Sequence, residues 1–141
     1  MRRNTLAALT LGFVLAGTAT AVAHHAFSAE FDRDKRVEMR GYVTKVEWTN
    51  PHVWFYINVK DEKTGKVTTW GFEMGPPHGL QRRGWRRETL KLGDEVTVAG
   101  SLAKNGAKRM NARTVTLTTT GGRPGETLDA QSSQGGAVID Q

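Results

Sequence analysis

The 141-residue chain contains no cysteine, and this absence excludes disulfide bonds and thiolate metal sites. It also lacks an apolar run near the roughly 20 residues that a membrane-spanning helix needs. No Gly-rich phosphate loop, His-Glu-x-x-His helix, nucleophile elbow or Asp-rich calcium loop is present. The carboxylates are scattered without an evident acid–base pair, so the sequence favours a non-enzymatic protein over an enzyme.

The amino terminus has the order of a cleavable secretory signal peptide. A basic pair, Arg2 and Arg3, precedes an uncharged apolar segment over residues 6–16, and small residues end the region at Ala23. Basic, apolar and small-residue regions in this order are typical of secretory signals. We therefore expect residues 1–23 to be removed by the general secretory route, which makes the mature protein periplasmic or secreted, without a membrane span.

From Val37 onward, polar and apolar residues alternate in short segments bounded by turn residues, a pattern typical of β-strands. A short helix is expected between the third and fourth segments, within Leu80–Leu90. The five predicted strands are Val37–Trp48, His52–Lys60, Lys66–Met74, Glu95–Leu102 and Arg109–Leu117. The element order β-β-β-α-β-β predicts an all-β fold with one short helix, a small five-stranded OB-fold-like barrel. A five-stranded sandwich or a half-open β-roll would give the same order.

Four segments follow from this division of the chain. The signal peptide (1–23) precedes an amino-terminal arm (24–34), the OB-like β domain (35–117) and a tail (118–141). The tail is rich in Gly, Ser and Gln and poor in large aliphatic residues. Such a composition buries too little apolar surface to fold, so the tail is predicted to be disordered.

Signal cleavage would place His24 at the mature amino terminus, next to His25. A terminal histidine offers its amine and its imidazole together, and these nitrogen donors suit copper in a chain without cysteine. His52 opens the second predicted strand, within reach of an arm that folds back. We therefore expect a copper ion held by His24, His25 and His52. The alternative is that the paired histidines are solvated and that His52 stabilises the turn at Asn50 and Pro51.

Side chains on a strand alternate between its two faces, so the second strand is expected to bury Phe55 and Ile57 and to turn Trp54 and Tyr56 the other way. With Trp70 or Phe72 of the third strand, these aromatics would form the ligand-binding face of an OB-fold. Two alternatives are a dimer surface and a face that the arm covers through its phenylalanines.

A basic segment, Arg82, Arg83, Arg86 and Arg87, surrounds a tryptophan. On a helix, arginines four residues apart repel each other by a few tenths of a kcal/mol unless an acid or an anionic ligand compensates. This predicts contacts with phosphate, sugar-acid or lipid headgroups; the alternative is a solvated basic turn.

Three functions compete on this sequence. An exported binding domain that holds copper leads, ahead of a non-enzymatic envelope interaction module that binds a polymer or a protein through its aromatic and basic surface. The third is a copper oxygenase with a terminal histidine brace. Basic charge, aromatics and an OB-like barrel also fit single-stranded nucleic acid. Export argues against a nucleic-acid partner.

Several blocks in fixed order resemble a known family. These are His24-His25-Ala26-Phe27-Ser28-Ala29-Glu30-Phe31-Asp32, Val46-Glu47-Trp48-Thr49-Asn50-Pro51-His52-Val53-Trp54, Trp70-Gly71-Phe72-Glu73-Met74-Gly75, Gly84-Trp85 and Leu90-Lys91-Leu92-Gly93-Asp94-Glu95-Val96-Thr97-Val98. The family comprises small exported proteins of Gram-negative bacteria with a domain of unknown function. The resemblance covers roughly residues 24–117 and implies export and a shared fold, without an activity or catalytic residues.

Overall fold

The computed structural model describes residues 27–118 and 125–130. Residues 27–30 are helical and lead directly into the first strand. The elements that follow are β1 (Phe31–Glu47), β2 (Trp54–Lys60), β3 (Val67–Glu73), a short helix (Pro77–Arg82), β4 (Glu95–Ala103), β5 (Arg109–Thr118) and β6 (Glu126–Asp129). Within the described ranges, no helix is both long and apolar enough to cross a membrane.

The first five strands close into a barrel. Antiparallel pairing runs in the order β3-β2-β1-β4-β5, and β3 then pairs in parallel with β5 through Phe72 and Met110. β6 extends the sheet beside β5. A closed five-stranded barrel with a short helix between β3 and β4 confirms the predicted OB-fold and the order β-β-β-α-β-β.

Two glycines let barrel strands approach closely. A Cβ at Gly41 would clash with the carbonyl oxygen of Asn58, and one at Gly100 would clash with that of Asn111. Glycine in a strand commonly marks such a bend or close backbone approach. The sharp curvature that closes this small barrel therefore depends on positions without a side chain.

The barrel interior holds the predicted core. Phe55, Ile57 and Phe72 are fully buried, and the rings of Phe55 and Phe72 stack with centroids 5.1 Å apart. Leu80 and Trp85 join the same core from the helix and the segment that follows it. The alternation along β2 is thus confirmed, because Phe55 and Ile57 face inward.

The start of β1 and the position of the helix differ from the predictions by more than two residues. The helix was expected within Leu80–Leu90 but spans Pro77–Arg82, with a proline in its first turn. β1 begins at Phe31 rather than Val37, because Phe27 and Phe31 are buried against Ala103 in a small second cluster. The end of the predicted arm is therefore part of the barrel's first strand.

The predicted disordered tail contains a strand. β6 (Glu126–Asp129) pairs with β5, and the next residue, Ala130, is fully buried and accepts a hydrogen bond from the backbone N–H of Gly75 at 3.0 Å. Composition does not reveal this strand because backbone pairing, rather than a run of large apolar side chains, holds it in place. The rest of the predicted tail after residue 118 lies outside the described residues.

Candidate functional site

The outward side of β2 and β3 carries an unusual set of polar and aromatic side chains. Strand pairing places Trp54 beside Glu73 and Tyr56 beside Gly71. The parallel pairing with β5 adds Arg109 next to Gly71. We call the side chains of His52, Trp54, Tyr56, Glu73 and Arg109 the outer face.

At one end of this face, His52 and Glu73 form a pair through Nδ1 and a carboxylate oxygen. Glu73 is only 7% exposed although it points away from the barrel core. Burial and the nearby charge of Glu30 raise the pKa of Glu73 to about 7, against the lowering effect of Arg109. Burial lowers the pKa of His52, and the charge of Glu30 acts in the opposite direction. Burial therefore favours the uncharged form of both members of the pair.

The described part of the arm lies next to this pair. The backbone N–H of Lys104 donates to the carbonyl oxygen of Glu30 at 2.9 Å, and the Glu30 carboxylate accepts from Arg109 at 3.2 Å. The rings of Phe27 and Phe31 lie 5.7 Å apart and pack on the β4–β5 hairpin. The arm is therefore fixed by the hairpin, and its phenylalanines do not cover the two outer aromatics as one alternative expected.

Trp54 and Tyr56 are half-buried, and cations approach both rings. Arg109 lies 5.9 Å from the centroid of Trp54, and Lys45 lies 5.3 Å from that of Tyr56. The Tyr56 hydroxyl donates to Glu47 at 3.0 Å, and burial followed by this bond raises the pKa of Tyr56. These two aromatics thus belong to one polar network with their basic neighbours.

Trp70 and Phe72 lie on the other side of β3. Trp70 pairs with Ile57 and Phe72 with Phe55, and paired residues share a face of the sheet. Trp70 packs on the core and has Lys108 4.9 Å from its ring centroid. The structure therefore separates Trp70 from Trp54 and Tyr56, with which it was predicted to form one ligand surface.

The basic segment is not one helical face. The helix ends at Arg82, so Arg86 and Arg87 lie beyond it and the expected four-residue charge spacing does not arise. Arg86 donates to the carbonyl oxygens of Gln81 and Trp85, and Arg83 lies 3.8 Å from Asp129. Arg82 and Arg87 are exposed. Trp85 itself is buried and donates to the carbonyl oxygen of Asp129 at 2.7 Å.

Asp129 is the neighbour described for Arg83, and the carbonyl groups of Gln81 and Trp85 are those described for Arg86. Trp54 and Tyr56 instead have Arg109, Lys45 and Glu47 as neighbours.

The predicted metal ligands are only partly within the described residues. His24 and His25 lie outside them, and His52 is half-buried beside Glu73. Among residues 27–118 and 125–130, no group of three His, Cys, Asp or Glu side chains is arranged to hold a metal ion. A metal at His52 would thus need ligands from outside this part of the chain.

The sequence did not single out Glu73, Glu30 or Arg109. Glu73 becomes conspicuous only when the β2–β3 register places it beside Trp54 and His52. Its one advance signal is that it is an acidic residue between Phe72 and Met74, in a strand otherwise expected to be buried.

Residues 11–112 match a family described as "Family of unknown function (DUF6152)". No curated protein matches the chain. Among solved structures, the chain is similar to the mitochondrial single-stranded DNA-binding protein Rim1 of S. cerevisiae, with a TM-score of 0.49 and 11% identity over 62% of this chain and 96% of that chain. It is also similar to the N-terminal domain of the PriB protein from Thermoanaerobacter tencongensis, with a TM-score of 0.40 and 16% identity over 62% of this chain and 100% of that chain.

Proposed function

This chain belongs to the family of unknown function DUF6152, and because that description assigns no activity, we propose a function from the residues themselves. The protein is an exported, periplasmic binding domain that holds one Cu(II) ion. The amine and imidazole of His24 supply the first two ligands. His52 supplies a third from the barrel, and His25, the next residue in the sequence after His24, is a further nitrogen donor.

The observation that carries this proposal is the orientation of His52. Its Nδ1 contacts the Glu73 carboxyl, and within the described residues its Nε2 has no hydrogen-bond partner. Histidines that bind metals almost always donate the other ring N–H to a carboxylate, a carbonyl or water, which fixes the ring and makes the ligand nitrogen more basic. The contact between His52 Nδ1 and the Glu73 carboxyl is of this kind and leaves Nε2 as the nitrogen for a metal.

The position of the arm supports a shared site. Glu30 acts electrostatically on both His52 and Glu73, so the arm passes close to the pair. An extended chain spans up to about 3.5 Å per residue, so His24, three residues before Phe27, can lie up to about 10 Å from it. The carboxylates of Glu30 and Glu73 would also favour a cation there.

Copper titration of the authentic mature protein tests the proposal. Authentic protein should bind one equivalent of Cu(II). A version with one extra residue before His24 should bind much more weakly, because the extension removes the terminal amine from the chelate. His24→Ala and His52→Ala should each weaken binding as well. Glu73→Gln keeps His52 but removes its carboxylate, and we expect it to cost about 10- to 100-fold in affinity.

His78→Ala is the matched control, because His78 is exposed on the short helix and is not a proposed ligand. Equal affinity in the authentic and extended proteins would contradict the amino-terminal chelate. Loss of binding in His78→Ala would indicate unspecific histidine binding. In either case the interaction module, acting through the outer aromatics or the basic segment, would become the leading function.

Export is part of the same proposal and has its own measurement. The intact mass of protein recovered from the periplasm should correspond to a chain that begins at His24. A start several residues downstream would remove both histidines of the arm and end the copper proposal, while leaving export itself in place.

A further inference from the structure

A second concave site lies on the outside of β1, β4 and β5. Its volume is about 310 Å³, at the lower end of the roughly 300–1,000 Å³ usual for small-molecule sites. Its lining includes Arg36, Glu38, Ala99, Ser101 and Arg113. We call this the β4 groove. None of these residues belongs to the outer face or to the proposed copper site.

A bulge in β5 forms one wall of the groove. Ala99 pairs with Thr114 and Gly100 with Ala112, so Arg113 is the extra residue between them. Bulges re-aim side chains and are common beside functional sites. On the opposite side of β4, Arg36 pairs directly with Ser101. The two arginines therefore flank the same segment of β4 from the two neighbouring strands.

The charge of the groove is unbalanced. Across the described part of the chain, neither the Arg36 nor the Arg113 guanidinium has a hydrogen-bond or ion-pair partner. Glu38 is the one acidic side chain of the lining, so two positive charges and one negative charge leave a net charge of +1. Such a site fits a monoanion better than a dianion, because Glu38 would repel the second negative charge.

The floor of the groove is small and partly apolar. Ala99 and Gly100 leave room above β4, and the methyl group of Ala99 supplies the apolar part of the floor. Guanidinium groups bind carboxylates through two parallel hydrogen bonds, while apolar surface binds alkyl chains by removing them from water. The combination selects a ligand with one anionic head and a short apolar body.

We propose that the β4 groove binds a small amphiphilic carboxylate, with its head between Arg36 and Arg113 and its alkyl chain over Ala99. The outer face has no part in this site. Binding is therefore independent of copper and of the mature amino terminus.

Calorimetric titration of the metal-free mature protein with sodium octanoate tests this assignment. Octanoate should bind saturably, whereas inorganic phosphate, which lacks the alkyl chain, and octyl glucoside, which lacks the charge, should not. Arg36→Gln and Arg113→Gln should each weaken octanoate binding by about tenfold or more, the loss of one charge-assisted hydrogen-bonding group. Lys66→Gln, an equal charge change in the β2–β3 hairpin, should have no effect.

Ala99→Leu provides a second test that leaves both arginines in place. The larger side chain fills the groove, so octanoate binding should be lost. Thr97→Leu, two residues earlier on the same face of β4, is the steric control and should bind normally. Circular dichroism verifies that each variant is folded. Absence of saturable octanoate binding, unchanged affinity in the two arginine variants, or equally tight binding of phosphate or octyl glucoside would overturn the proposal.

Discussion

The two sides of β2 are made of neighbouring residues but have opposite character. The inward side, with Phe55 and Ile57, is apolar, fully buried and packed on Phe72. The outward side presents half-buried Trp54 and Tyr56. Next to Trp54 lies Glu73, a carboxyl that is almost as buried as the core. Burial therefore has two origins in this part of the barrel: apolar packing on the inner side of β2, and a covered polar pair, His52 and Glu73, beside its outer side.

The two sides differ in what they contribute to the stability of the fold. A barrel of this size needs its apolar interior, because apolar burial is the main favourable contribution to folding. It does not need a buried carboxyl on its exterior, where burial disfavours the ionised form. Ionisable groups with strongly perturbed pKa values are concentrated at functional sites, and this supports the site proposed on the outside of β2 and β3.

Truncation on the two sides should have very different consequences, and this is the largest effect that we expect. Phe55→Ala removes a fully buried ring and should cost about 3 to 5 kcal/mol, a large share of the roughly 5–15 kcal/mol that stabilises a domain. Trp54→Ala, one residue away on the outer face, should cost about 1 kcal/mol or less. Urea denaturation of both variants measures the difference. A larger loss in Trp54→Ala would mean that the assigned faces of β2 are reversed.

The faces of β2 could be predicted from sequence because alternation is a local property. Phe55 and Ile57 are correctly assigned to the core on that basis, and the five predicted strands correspond to β1–β5. Alternation in β3 can also be predicted from the sequence, but which face of β3 lies beside Trp54 depends on the pairing between the strands. The sequence alone therefore predicts that Trp70 shares a face with Trp54, whereas in the structure Gly71 and Glu73 occupy that face of β3. The partnership of His52 with Glu73 also depends on this register, whereas β6 is held by its own pairing with β5.

In metal-free protein, His52 and Glu73 should change the free energy of unfolding with pH in opposite directions. A carboxyl whose pKa is raised from 4.5 to about 7 on folding holds its proton more tightly in the folded state, so stability falls as pH rises between these values. A histidine whose pKa is lowered on folding holds its proton less tightly, so stability rises as pH approaches 6.5. The two effects oppose each other in the parent protein, so its stability should depend less steeply on pH than that of a variant that keeps Glu73 alone.

Substituting one member of the pair at a time should reveal two opposite slopes of stability against pH. His52→Gln leaves Glu73, and its stability should fall by about 1 to 3 kcal/mol from pH 5 to 8, since one pKa unit corresponds to about 1.4 kcal/mol. Glu73→Gln leaves His52, and its stability should rise with pH up to about 6.5. Urea midpoints across this range measure both slopes. Slopes of the same sign in the two variants would contradict the described pair.

The smallest expected effect concerns the other end of the outer face, where Tyr56 is held by its neighbours rather than by the core. Its hydroxyl donates to Glu47, and its ring lies near Lys45. Absorbance titration in a Tyr42→Phe background would report Tyr56 alone, because the chain has two tyrosines.

In this background, Glu47→Gln should lower the pKa of Tyr56, because the negative charge of Glu47 stabilises the protonated hydroxyl. The pKa should stay above its ordinary value of 10, since burial is the largest cause of the increase. Lys45→Gln is the opposite control: removing its positive charge should raise the pKa of Tyr56 further. Both substitutions are at exposed positions and should leave the urea midpoint nearly unchanged. Shifts of the same sign in the two variants would mean that Tyr56 does not take part in the charge network of the outer face, and only the His52–Glu73 end would remain distinct from an ordinary barrel surface.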